Sequence, residues 1–177
     1  MRICLFGSGS KNIAEKYLDT GYQLGKAIAI NNHDLVFGGG DDGMMGSVAR
    51  GCHDNGGMVI GIIPEWMSQF EALYKECDEI IYTKSMDERK LNFVKESDLF
   101  IISPGGIGTL DEFFDVLTLK KLKKIDKNII ILNFDNFFDK MLDMLYDMAE
   151  KNFVKEKDKD LFVIANDIAE LNHYFKK

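Results

Sequence analysis

The residues of this chain best suited to chemistry lie in Pro104-Gly105-Gly106-Ile107-Gly108-Thr109, with Glu112 three positions on. Glycines at 105, 106 and 108 carry no Cβ, so the backbone N–H groups from Gly105 through Ile107 to Thr109 can approach a ligand closely. A helix expected over 109–122 aims its unpaired first-turn N–H groups and its positive dipole end at the same place. That combination suits an anion, above all a phosphate. Glu112 falls one turn into the helix, within reach of whatever the phosphate holds. A second use of the same residues stays open. Thr109-x-x-Glu112 is also a capping box, in which both side chains satisfy orphan donors at a helix start. Three glycines nevertheless exceed what a tight turn alone needs.

Other turns share this character. Gly7-Ser8-Gly9-Ser10 follows an apolar run and suits phosphate or ribose contact, or else a plain helix cap by Ser8 or Ser10. Gly38-Gly39-Gly40-Asp41-Asp42-Gly43 has the G-x-G-x-x-G spacing of a dinucleotide site between a strand and a helix. Two features oppose that reading: the motif sits on the second strand–helix unit, and Asp41 and Asp42 would repel a pyrophosphate. Ser85-x-x-Glu88 reads as a capping box, which leaves Glu88 a structural role. Arg89 and Lys90 then oppose the dipole at a helix start, so either an anion answers them or they are solvated surface. Only Arg2, Arg50 and Arg89 among the 22 basic residues are arginines. A chain this rich in lysine keeps arginine where a planar, bidentate donor is required.

Periodicity supplies the elements that must hold these residues. Apolar runs predict strands over 2–6, 34–37, 58–63, 79–83, 99–102, 128–132 and 161–164. Helices are expected over 12–31, 44–52, 85–96, 109–122, 135–152 and 167–175. The first should bury Ala14, Leu18, Tyr22, Leu24 and Ile28. The stretch 65–78 reads as irregular, with Trp66, Met67 and Phe70 available to a base pocket or to the core, and 155–160 as a charged loop. Strands alternating with helices and no long linker imply one α/β domain over 1–177. Its fold is expected to be doubly wound and Rossmann-like, a parallel sheet of about seven strands with helices on both faces. Ligands of such sheets bind beyond the strand carboxyl ends, where all the turns above fall. The apolar face of Phe113, Phe114 and Leu117, with the 137–146 helix segment, serves either an interface or the core.

The net charge of −7 excludes broad nucleic-acid or anionic-membrane binding, both of which want a basic face. Cys4, Cys52 and Cys77 form no CxxC pair, and His33, His53 and His173 have no metal-ligand spacing, so no metal site is expected. No secretion signal is read, and no apolar run approaches the ~20 residues of a membrane helix. The chain reads as cytoplasmic, with no membrane association.

On these residues the chain resembles the LONELY GUY family of phosphoribohydrolases, often named lysine decarboxylases, over 2 to about 155. The family pattern P-G-G-x-G-T-x-x-E matches Pro104 to Glu112 at every fixed position. E-R-K matches Glu88-Arg89-Lys90, and G-G-G-x-x-G-x-M-G matches Gly38 to Gly46. The resemblance implies hydrolysis of a purine nucleoside 5′-monophosphate such as AMP, or an N6-substituted AMP of the cytokinin type, to base and ribose 5-phosphate. It implies Arg89 and Glu112 as the catalytic pair, no cofactor and a homodimer. Glu112 would stabilise the positive charge of an oxocarbenium-like ribose and take a proton from the attacking water. Arg89 would hold phosphate or ribose, or pair with Glu112. Ser8, Gly39, Lys90 and the 105–109 turn would contact substrate, Met86 would pack on the base and Glu71 would hydrogen-bond substrate. The family has His or Gln where Asp87 stands, and Trp and Gln near Leu119 and Lys121, differences that bear on base selectivity. Nothing marks a lysine for the Schiff base a decarboxylase requires. The alternatives are a non-catalytic nucleotide or molybdenum-cofactor carrier, which has no need of Arg89 with Glu112, and an NAD(P)-linked enzyme.

Overall fold

In the computed structural model, which describes residues 1–175, strands and helices alternate along the chain. The first half comprises β1 (Arg2–Phe6), α1 (Glu15–Ile30), β2 (Asp34–Phe37), α2 (Gly43–His53), β3 (Val59–Pro64) and β4 (Glu79–Thr83). It continues with α3 (Met86–Glu96), β5 (Leu99–Ile102), α4 (Ile107–Lys121), β6 (Asn128–Leu132), α5 (Asp139–Glu150), β7 (Val163–Ala165) and α6 (Ile168–Asn172). Short 3₁₀ turns occupy Met67–Gln69, Phe134–Asn136 and Glu156–Leu161.

All seven strands pair in parallel in the order β4-β3-β2-β1-β5-β6-β7, the doubly wound sheet expected from the alternation. The chain winds outward from β1 to β4, then returns past β1 to lay down β5. The reversal between β1 and β5 is the switch point at which such sheets open a crevice. Phe6 pairs with Ile102 there, so the turns after β1 and β5 leave the sheet side by side. Ser8 N donates to Pro104 O at 3.1 Å and ties them together.

Alternate side chains of each strand enter opposite core layers, as strand geometry requires. Ile3, Leu5, Leu35, Phe37 and Ile101 pack with α1, α2 and α6. Cys4, Phe6, Val36, Phe100 and Ile102 pack with Phe93 of α3, Phe113 of α4 and Leu142 of α5. Each such apolar side chain contributes about 1.5–3 kcal/mol when fully buried. Phe113 is therefore core, while Phe114 and Leu117 are partly buried beside it.

Three departures from the expected elements are the start of α1, its buried face and the start of α5, and the two starts have local causes. Helix α1 starts at Glu15, because Ser10 Oγ accepts Asn12 N at 3.3 Å and holds a turn in the preceding residues. Its buried face is Thr20, Gly21, Leu24, Gly25 and Ile28; Ala14 is exposed and Leu18 and Tyr22 are only partly covered. Helix α5 starts at Asp139 because Asp135 and Asn136 adopt φ of 57° and 56°, outside the helical region. The Asn133 side chain then closes the corner, accepting from Phe138 N at 2.7 Å and donating to Asp139 at 2.8 Å.

The shifted face of α1 reflects a backbone-to-backbone crossing with α2. A Cβ on Gly25 would stand 2.0 Å from Val48 O, and one on Gly51 would stand 2.1 Å from Tyr22 O. Intrinsic propensity favours Gly25→Ala by about 1 kcal/mol, but overpacking against rigid backbone costs about 1–3 kcal/mol or more. The clash should win. We expect Gly25→Ala to lower the urea midpoint; a raised midpoint would mean that the two helices do not meet at this position.

Candidate active site

The turns after β1 and β5, the start of α2, the segment after β3, and helices α3 and α4 enclose a cleft of about 340 Å³. One end is built for an anion. Helix α4 begins at Ile107 with Gly106 as its N-cap, and no side chain caps it. Thr109 is thus the third helical residue and Glu112 lies deeper still. The capping box that these two residues offered is not formed, and Glu112 is released to the site. First-turn amides of α4 are left without intrahelical partners, beside Ser8.

The glycines of this turn divide their labour. Gly106 and Gly108 line the cleft, and an added Cβ on either would meet open space. Gly105 is structural: its Cβ would stand 2.1 Å from Thr109 Oγ1 and 3.0 Å from Ser8 N.

At the centre stand Arg89 and Glu112. Ser85 Oγ caps α3 by accepting Glu88 N at 3.2 Å, and Glu88 accepts Lys84 N at 2.8 Å, the structural role expected of Glu88. One turn on, Arg89 points inward with its side chain only 8% exposed. Its Nε donates to Ile62 O at 3.1 Å and its Nη2 to Gly38 O at 3.0 Å, while Nη1 lies 3.9 Å from Glu112 Oε1. The guanidinium also covers the Phe93 ring at 5.2 Å. Of the uses expected for Arg89, the structure therefore displays the pairing with Glu112. Burial pushes the Glu112 carboxyl up to about 7, with Asp111 and Glu71 adding to the rise and Arg89 and Lys90 opposing it.

The far wall comes from α2 and from the segment after β3. Asp41 N donates to Ala72 O and Tyr74 N to Gly39 O, both at 2.9 Å, which pins that segment against the glycine turn after β2. Met67 and Glu71 thereby face the cleft beside Met45. Burial raises the Glu71 pKa, Arg89 opposes the rise and Asp42 adds to it. Trp66 and Phe70 stay outside the lining and pack edge-on against each other at 5.7 Å.

The structure thus brings together Ser8, Glu71, Arg89, Gly106, Gly108, Thr109 and Glu112. Five expected residues lie outside the lining. Lys90 turns to Asp111 at 2.8 Å, and Met86 is exposed at the start of α3. Gly39 makes the turn, with φ at 84°, where a Cβ would strike Ile63. Ile107 is 88% exposed, so only its amide is turned to use, and Gly105 is the spacer described above. Gly7, Gly9 and Ser10 of the first glycine–serine turn also line the cleft, and so does Met45, which was not singled out. Met45 could have been found, since it is the methionine of the Gly38–Gly46 pattern. Asp41 and Asp42 are answered by Arg50 at 2.8 Å and Lys11 at 3.4 Å. Among the described residues no group of three His, Cys, Asp or Glu side chains is placed to hold a metal ion. No described helix is long and apolar enough to cross a membrane.

Residues 45–175 match a family model described as "Possible lysine decarboxylase". The chain is 36% identical to the cytokinin riboside 5′-monophosphate phosphoribohydrolase LOG3 of Arabidopsis thaliana, over 96% of this chain and 79% of that one. It is 34% identical to LOG4 of the same plant, which bears the same enzyme name, over 96% and 79%. Among solved structures it resembles the molybdenum cofactor carrier protein of Chlamydomonas reinhardtii, at 25% identity and a TM-score of 0.71, over 99% and 95%. The molybdenum cofactor binding protein of Rippkaea orientalis shares the fold, at 24% identity and a TM-score of 0.72, over 99% and 94%.

The raised Glu112 pKa carries a stability consequence. Between its ordinary 4.5 and about 7 the folded chain holds a proton that the unfolded chain has lost, so stability falls as pH rises through that window. At 1.36 kcal/mol per unit the loss is on the order of 3 kcal/mol above pH 7. We expect Glu112→Gln to unfold at higher urea than the parent at pH 8 and at the same urea near pH 4. Equal midpoints at both pH values would show Glu112 to be solvated.

Proposed function

The chain belongs to the LONELY GUY family of phosphoribohydrolases, and on that premise we propose that it hydrolyses the N-glycosidic bond of an adenine-type nucleoside 5′-monophosphate, releasing free base and ribose 5-phosphate. The observation that carries this reading is the buried Arg89–Glu112 pair, 3.9 Å apart and one turn inside the anion-binding start of α4. With the 5′-phosphate on the first-turn amides and Ser8, the ribose extends over Glu112. Breaking the bond from the anomeric carbon to the base builds positive charge on the ribose. The Glu112 carboxylate stabilises that charge and takes a proton from the attacking water. Arg89, held by two carbonyls, orients Glu112 and offsets part of the cost of burying its charge.

Met45 and Met67 supply soft, adaptable thioether surface for the base, which supports acceptance of both AMP and N6-substituted AMP. The reading includes a cytoplasmic homodimer that works without a cofactor. Three free cysteines fit a reducing compartment, and exposed Leu91, Leu122 and Phe153 are apolar surface for a second copy. The decarboxylase description draws no support from the cleft, whose described lining includes no lysine.

A carrier of a phosphorylated cofactor is the second reading, favoured by the likeness to molybdenum cofactor carriers. The phosphate end of the cleft would serve such a group equally. Two desolvated carboxyls beside it would repel further negative charge, and a carrier has no use for them.

The test is incubation with AMP, N6-isopentenyl-AMP, GMP and CMP, following free base by chromatography. Base is expected from the adenine nucleotides. Intact nucleotides, with AMP still raising the melting temperature, would favour the carrier. Glu112→Gln should bind AMP but lose about 10²-fold or more in turnover; near-normal turnover would sink the assignment. Because Glu112 works ionised, kcat/KM should fall as pH drops below about 7.

A further inference from the structure

Glu112 accounts for only half of the proton chemistry that the reaction demands. A purine leaves readily only if a proton reaches one of its ring nitrogens as the glycosidic bond breaks. The carboxylate that takes a proton from water cannot deliver one to the base in the same event. A second titratable group should therefore face the cleft where the base lies.

Glu71 occupies that position. It lines the cleft from the segment after β3, beside Met45 and Met67, the surface that the proposed function gives to the base. Its carboxyl borders two glycine turns: Glu71 Oε2 lies 3.7 Å from where a Cβ would stand on either Gly9 or Gly40. Among the described residues no donor hydrogen-bonds its carboxyl, and the charge of Arg89 is what favours its ionised form. We propose that Glu71 is the general acid of this hydrolase, giving its proton to a ring nitrogen of the departing base while Glu112 takes one from the attacking water.

The step balances. The bond between the anomeric carbon and the base breaks, and its electron pair stays on the base, which gains the Glu71 proton. The water oxygen bonds to the anomeric carbon, and its proton goes to Glu112. Ribose 5-phosphate and neutral base leave, and one proton passing from Glu112 to Glu71 through solvent restores the start. The working enzyme thus carries one proton on the pair. Arg89 of α3 faces both acids; Asp111 of α4 and Lys90 of α3 act on Glu112, and Asp42 at the start of α2 acts on Glu71. Burial lifts both carboxyls, which favours retention of that shared proton near neutral pH. The active form is singly protonated, so turnover falls on the acid side when the second proton binds and on the alkaline side when the last one leaves.

The proposal rests on the phosphoribohydrolase reading, and a substrate that needs no acid separates the two. In 7-methyl-AMP the purine is already cationic and leaves as a neutral base without a proton. The full chain and its Glu71→Gln variant are compared on AMP and on 7-methyl-AMP, with kcat followed from pH 5 to 9. We expect the variant to lose about 10²-fold or more on AMP, to stay within about fivefold of the parent on 7-methyl-AMP, and to lack the alkaline limb on AMP. Equal losses on both substrates, an AMP loss under about tenfold, or an alkaline limb that survives in the variant would each overturn the role. If the parent rejects 7-methyl-AMP, the alkaline limb on AMP decides in the same way. A parent that cleaves neither nucleotide overturns the enzyme reading itself, before Glu71 is in question.

Discussion

The site depends on one guanidinium held between two main-chain carbonyls and a buried acid. Arg89 bonds Ile62 O near the end of β3 and Gly38 O just beyond β2, and faces Glu112 on α4. Elements from both sides of the switch point thus converge on a single side chain. Gly38 has to be glycine, because a Cβ there would stand 2.3 Å from Arg89 Nη2. Removing the guanidinium would leave two carbonyls unmet and a buried carboxylate without its counter-charge, which costs about 3–5 kcal/mol in comparable buried pairs. Lysine cannot replace this fork, as one ammonium does not offer the spread of donors that meets both carbonyls while facing Glu112.

Holding an acid in so dry a place works against the fold. Glu112 is 15% exposed, and its charge is not fully offset even with Arg89 beside it. The strain is tolerated because the sheet beneath is buried on both faces and contributes far more than one carboxyl withdraws. The same dryness strengthens every electrostatic interaction inside the cleft. A carboxyl lifted by burial is suited to acid–base work near neutral pH.

The glycines that crowd the strand ends serve three separate physical needs. Gly7, Gly38 and Gly105 let a side chain pass where a Cβ would collide, Gly39 takes a left-handed turn, and Gly106 and Gly108 leave the helix start open. Gly25 and Gly51 are of another kind, allowing α1 and α2 to touch along their backbones. A run of glycines in the sequence therefore marks a place of close approach without saying what approaches.

Local chemistry alone determined much of this protein. Seven apolar runs separated by amphipathic ones imply a parallel doubly wound sheet, because strand and helix periods are properties of short segments. The glycine turns at strand ends and the Ser85 cap were legible for the same reason, whereas Arg89 with Glu112 as a catalytic pair was implied by the family resemblance. Tertiary structure decided the rest. Thr109 and Glu112 offered a cap or a site, and the choice turned on α4 beginning two residues earlier than its pattern implies, at Ile107. Lys90 sits beside Arg89 in sequence yet faces Asp111 instead of the cleft, because the rotation of α3 is set by Phe93 in the core and by the carbonyls that receive Arg89. Glycine carries no hydrophobic signal, so the true face of α1 appeared only when α2 lay against it. Glu71 comes from a segment with no periodicity to read and Met45 from the first turn of α2, and they acquire neighbours only when the turns after β1, β2 and β5 meet at one edge of the sheet. Which side chains share a cleft is a property of how elements pack, and packing is not a local quantity.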